Sequence, residues 1–131
     1  MTRILTMALS AILAMPAYAD ETPACAEIPG EVFYKVRIAL PPDAELSVRL
    51  EEQGVADKPA ALIGEVRFAT NGLQVPLGFS IRPDCVKLAA AVAPGFTARI
   101  EQGGKLLFIN DASHPFDPAK PMQSIEVVQS R

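Results

Sequence analysis

The strictest constraint on this chain is a period of two. In AELSVRL (44–50), Ala44, Leu46, Val48 and Leu50 alternate with Glu45, Ser47 and Arg49. Successive strand residues point to opposite faces, so this pattern gives one apolar face and one polar face. The same alternation runs through VFYKVRIAL (32–40), with Val32, Tyr34, Val36, Ile38 and Leu40 on one side and Lys35 and Arg37 on the other. It returns in FTARIE (96–101), with Phe96, Ala98 and Ile100 inward, and in SIEVVQ (124–129), with Ile125 and Val127 inward. Repeated half-buried segments of this kind specify antiparallel strands rather than helices.

Turn chemistry separates the segments. Pro41-Pro42-Asp43 cannot continue a ladder and makes a corner between the first two strands. Gly103-Gly104 returns the chain from FTARIE into KLLFI (105–109). In LIGEVRFATNGLQVPLGFSI (62–81), Asn71-Gly72 is the preferred pair for a two-residue hairpin turn. If it sets the register, Phe68 faces Val75, Val66 faces Leu77 and Gly64 faces Phe79, the glycine leaving room for the ring. Pro76 lacks an N–H and belongs on an edge. CVKLAAAV (85–92) fits a strand or a short helix. The expected fold is all-β, a single-domain antiparallel β-sandwich of about seven short strands.

KLLFI breaks the alternation, because Leu106, Leu107, Phe108 and Ile109 are apolar on both faces. Either the strand is covered on both sides, or one face presents an apolar patch able to receive a partner. These four residues are the candidate partner-binding site.

The N-terminus reads as an export signal. Arg3 precedes the apolar run ILTMALSAILAM (4–15), and Ala17 and Ala19 stand at the small-residue positions before a cleavage point between Ala19 and Asp20. The run is shorter than the ~20 residues of a membrane-spanning helix, and charges or prolines interrupt every later apolar stretch. The expected division is a signal peptide at 1–19, a leader at 20–31 and the sandwich domain at 32–131, placing the mature chain in the periplasm.

An exported chain with two cysteines, Cys25 and Cys85, is most simply read as carrying one disulfide. The other reading of Cys25 is a lipid attachment point, which would make an outer-membrane lipoprotein. The preceding Thr22-Pro23-Ala24 supplies only one residue of that pattern, and the apolar run ends ten residues earlier.

The full chain carries 12 basic and 15 acidic residues. Removing Arg3 with the signal leaves 11 against 15, a net −4. Without a basic run, nucleic-acid binding is excluded. The chain's single histidine, His114, has Asp111 and Asp117 nearby in a turn-rich loop. One imidazole and two loop carboxylates fall short of a metal site's ligand set. Ser113 adjoins it without a glycine-framed nucleophile elbow, and Glu51-Glu52 point to opposite faces of a strand. Gly103-Gly104-Lys105 lacks the spacing of a phosphate loop. No catalytic residues, cofactor or metal are expected, and the chain reads as non-enzymatic.

The blocks IALPPDAELSVRLEE, ADKPA, LQVPLGFSI and ARIEQGGKLLFINDASHPF occur in this order in the YbaY/YscW-type family, which the chain resembles over about residues 35–129. The matching positions are Pro41, Pro42, Ala44, Val48, Leu50, Asp57, Pro59, Val75, Pro76, Phe79, Arg99, Ile100, Gly104, Lys105, Leu106 and Phe108. The resemblance implies a compact envelope β-sandwich without cofactor, chaperone-like or pilotin-like. It also implies an envelope partner such as a secretin, and makes His114-Pro115 part of a shared loop. The contrasting function is a structural or polysaccharide-associated periplasmic protein without a dedicated protein client.

Overall fold

A computed structural model of the protein describes residues 10–12, 25–54 and 58–131. The expected signal peptide apart from 10–12, its cleavage point and the first part of the leader (20–24) lie outside these residues. In chain order the elements are β1 (Ile28–Phe33), β2 (Glu45–Glu52), β3 (Ala61–Ala69), β4 (Leu77–Ile81), α1 (Cys85–Ala90), β5 (Pro94–Gln102), β6 (Lys105–Ile109), β7 (His114–Pro115), β8 (Gln123–Glu126) and β9 (Val128–Gln129). Seven strands have four or more residues, and β7 and β9 are two-residue pieces.

Two sheets face each other. The smaller has the order β4-β1-β8; the larger runs β3-β2-β5-β6-β9, with β7 also on β5. All pairings are antiparallel except β1 with β8. The sandwich is therefore antiparallel with one parallel seam. The alternation of β2 and β5 is realised as read, with Leu46, Val48 and Leu50 buried opposite Ile100, Ala98 and Phe96. From the small sheet, Val32, Leu77, Ile81 and Ile125 close the core.

Three local expectations change. The first strand does not run from 32 to 40. It begins at Ile28, inside the expected leader, and ends at Phe33. Tyr34 then turns inward, and its hydroxyl donates to the Ile38 carbonyl at 2.5 Å, folding Lys35–Ala39 back as a loop. Val36 and Ile38, expected inside, are 46% and 45% exposed.

The second change concerns Asn71-Gly72. The turn forms, with both residues at positive φ (51° and 82°) and the Leu73 N–H donating to the Thr70 carbonyl at 3.0 Å. No β3–β4 hairpin follows it. The Gln74 side chain instead pairs with the Leu40 backbone, accepting from its N–H at 2.6 Å and donating to its carbonyl at 3.2 Å. Pro76 follows a cis bond and has no N–H for a ladder. The chain crosses to the other sheet, where β4 pairs with β1. The glycine opposite Phe79 is therefore Gly30, not Gly64.

The third change is at the C-terminal strand, which divides at Val127. Its N–H donates to the Phe33 carbonyl at 2.9 Å in the small sheet, and Val128–Gln129 then pairs with β6 in the large one. Residues 85–90, open between strand and helix, form α1. Asp84 caps it, accepting from the Val86 and Lys87 N–H groups at 3.1 Å each.

Candidate functional site

KLLFI sits where an irregularity resolves its broken alternation. Ile100 pairs with Phe108 and Glu101 with Leu106, leaving Leu107 as the extra residue of a bulge. The insertion brings two neighbours to the inside. Phe108 is buried, its ring stacked on Tyr34 with centroids 4.2 Å apart, and Leu107 packs partly against the core. Leu106 and Ile109 pair with Glu101 and Arg99 and share their outer face, each half-buried. The strand is thus neither covered on both sides nor bare on one. Two of the four candidate residues serve the core, and two edge the outer surface.

The outer face of the large sheet is otherwise charged. Arg67 on β3 pairs with Glu45 at 2.6 Å and reaches Glu101 at 4.0 Å, while Arg99 meets Glu101 at 3.3 Å. Leu106 and Ile109 form its apolar border.

Beside that border lies a groove of about 260 Å³, walled by Ile38, Ala39 and Pro41 on one side and by Leu106 and Leu107 on the other, with Gln129 and Ser130 at its end. β9 covers β6 only at Phe108 and Ile109, and the Ser130 N–H donates to the Leu107 carbonyl at 2.8 Å. Towards Lys105 no described strand flanks this edge. Sequence reasoning found the β6 wall but placed Ile38 in the core. No local signal marks this, because the loop is folded back by the Tyr34 hydroxyl reaching the Ile38 carbonyl.

His114 is on β7, paired with Phe96 and edge-on to its ring at a centroid distance of 5.9 Å. Burial, aided by the charge of Lys120, holds its pKa below 6.5. Ser113 directs its hydroxyl to Gln53, 3.5 Å away, and not to the imidazole. Glu52 is also structurally engaged: its carboxylate accepts from the backbone N–H groups of Ala93, Gly54 and Val92, which hold its pKa low. Among the described residues, no group of three His, Cys, Asp or Glu side chains could hold a metal ion, and no helix is long and apolar enough to cross a membrane.

Cys25 and Cys85 are joined by a disulfide across 60 residues, with Cα atoms 5.6 Å apart. The bond ties the approach to β1 to the start of α1. It occupies the thiol that a lipid would require.

The comparisons with known proteins agree with this architecture. Residues 23–127 match the family described as type III secretion system lipoprotein chaperone (YscW). The chain is 34% identical over 90 residues to the Escherichia coli K12 protein named uncharacterized lipoprotein YbaY, covering 67% of this chain and 46% of that protein's length. It spans about half of that relative. It also superposes with a TM-score of 0.74 and 38% identity on an alternative pilotin from the type II secretion system of Vibrio cholerae, covering 81% of this chain and 97% of that one. A match over most of the chain, carried by the same β-rich architecture, shows that this protein belongs to the YscW lipoprotein-chaperone family.

Proposed function

We propose that the protein is a non-enzymatic, chaperone-like module of the cell envelope that holds an apolar segment of an envelope protein, such as a secretin, in the groove beside β6. The observation that carries this reading is the outward placement of Leu106 in the groove wall, next to the stretch of β6 that β9 leaves uncovered towards Lys105. Apolar side chains beside unpaired backbone let one surface offer both burial and main-chain hydrogen bonds to a peptide. The family and the pilotin-like structure support a protein client. The polysaccharide-associated reading gains less, since sugar sites stack on exposed rings, whereas among the described residues Tyr34, Phe79, Phe96 and Phe108 are buried and Phe33, Phe68 and Phe116 are half-buried.

A soluble periplasmic module is the reading that the Cys25–Cys85 disulfide supports, since a bridged Cys25 has no thiol for acylation. Intact mass of the envelope-purified protein without reductant tests this. The expected mass is residues 20–131 less two hydrogens; a chain starting at Cys25 with acyl groups would overturn it.

The binding test replaces Ile38 and Leu106, on the two walls of the groove, together by Ser and measures titration against a purified secretin, alongside thermal melting. Binding should weaken at least about tenfold while melting changes little, since neither side chain belongs to the core. Unchanged affinity would remove the groove from the reading.

A further inference from the structure

A second cleft, of about 360 Å³, opens where the chain enters β1. It shares no lining residue with the groove beside β6. The approach to β1, from Cys25 to Pro29, lines one part of it and is fastened to the start of α1 by the disulfide. Leu88 of α1 and Phe116 supply apolar surface. Both are half-buried and pack against the core, and the Phe116 ring lies edge-on to Phe96 with centroids 6.2 Å apart. The volume is within the range of small-molecule sites, about 300–1,000 Å³.

The polar side chains of the lining are already engaged, with one exception. The Gln123 amide closes on the backbone of Asp117, accepting from its N–H at 3.2 Å and donating to its carbonyl at 2.8 Å. The Glu27 carboxylate accepts from Ser80 and Arg82, each at 3.1 Å. Lys120 is exposed and makes no ion pair among the described residues. The backbone adds little, because Pro29, Pro118 and Pro121 have no N–H to offer. A peptide lying here would bury amide groups against a wall poor in partners, which is costly. A hydrocarbon chain with one anionic end makes no such demand.

From this lining we propose that the cleft binds a free fatty acid, its acyl chain against Leu88 and Phe116 and its carboxylate at Lys120. The site is separate from the client groove, so either could be occupied without the other.

Calorimetric titration of the mature chain with sodium laurate, at low salt and below its micellar concentration, tests the site. One saturable site is expected. From octanoate through decanoate to laurate, affinity should rise by up to about fourfold per added methylene. Lys120→Glu should weaken laurate about fivefold and leave neutral dodecanol unchanged. Ala26 is exposed and lines the cleft, so Ala26→Trp should fill it and abolish binding of both without touching the core. Melting and circular dichroism of each variant report on the fold. His114, the only histidine, adds a spectroscopic signature, because the charge of Lys120 helps to hold its pKa low. Pairing of Lys120 with a carboxylate should raise that pKa in NMR titrations, and dodecanol should not. The absence of saturable binding, or laurate binding that survives both Ala26→Trp and Lys120→Glu, would overturn the proposal. Tighter binding of lysophosphatidylglycerol of the same chain length would also overturn it, assigning the cleft to a phosphate headgroup.

Discussion

Tyr34 and Phe108 lie face to face, their planes within 4° of parallel, and this stack joins the loop wall of the groove to its strand wall. Tyr34 also holds that loop through its hydroxyl, which donates to the Ile38 carbonyl. One residue therefore packs the core and sets the position of Ile38. Tyr34→Phe keeps the ring and removes the hydrogen bond, a loss of about 1 kcal/mol in stability. The more telling readout is at the groove. Amide exchange of Lys35–Ala39 should quicken and client affinity should fall, with little change at β2 or β5. Uniform acceleration across the domain would contradict the proposed division of labour.

Two strand glycines should behave oppositely. An added Cβ at Gly30 would run into the Phe79 ring and come within 2.7 Å of the Gln123 carbonyl. Overpacking of this kind costs about 1–3 kcal/mol, so Gly30→Ala should lower the denaturation midpoint clearly. Gly78 meets nothing within 4 Å of the same added atom. Gly78→Ala should be neutral or stabilising by about 0.5 kcal/mol, through the lost freedom of the unfolded chain. Urea unfolding of the two variants checks both signs.

Glu52 provides a pH-dependent latch. Backbone N–H groups of Ala93, Gly54 and Val92 hold its carboxyl below the ordinary value of 4.5. Since the folded pKa is the lower one, the stabilisation is present above about 4.5 and is lost as pH falls through the folded value. Protection of the Val92 and Ala93 amides, relative to their intrinsic exchange rates at each pH, should fall over that acid window in the native chain. In Glu52→Gln that protection should be low already at neutral pH and show no such added step.

His114 contributes in the same direction, in a higher window. Its folded pKa lies below 6.5 because burial, and then Lys120, disfavours the imidazolium. Between the folded value and 6.5 the unfolded chain binds more protons, so stability should decline as pH drops through this range. His114→Gln should flatten that slope in melting experiments from pH 7 to 5. An unchanged slope would assign it to other groups.

Alternation was legible where both neighbours of a strand are strands, as in β2 and β5. Ala44, Leu46, Val48, Leu50, Phe96, Ala98 and Ile100 are all inside. Tyr34 and Leu40 are inside as well, but alternation failed at Val36 and Ile38 between them, because local periodicity cannot register that Tyr34 would stack on Phe108, 74 positions away in the sequence. The Asn71-Gly72 turn was readable as a turn, since its backbone preference is local. Where it led depended on Gln74 reaching Leu40, a contact 34 residues distant. The logic of a glycine opposite Phe79 was sound, but the partner was Gly30, because strand pairing is a property of the whole fold. At the candidate site, the apolar excess of KLLFI was visible, while the bulge that divides it between core and surface requires the β5 register.

The disulfide should matter most to the small sheet. Cys25 lies three residues before β1, and β1 is the central strand on which both β4 and β8 depend. Cross-linking residues 60 apart lowers the entropy of the unfolded chain enough to stabilise the fold by about 4 kcal/mol in the chain-entropy model. Replacing both cysteines by Ser, or reducing the bond, should lower stability by up to that amount. It should also make exchange in Ile28–Phe33 the first to rise. The large sheet, paired through β2 and β5, should retain its protection longest. If protection falls first in β2 and β5 instead, the bond stabilises the domain as a whole and does not act through its attachment at β1.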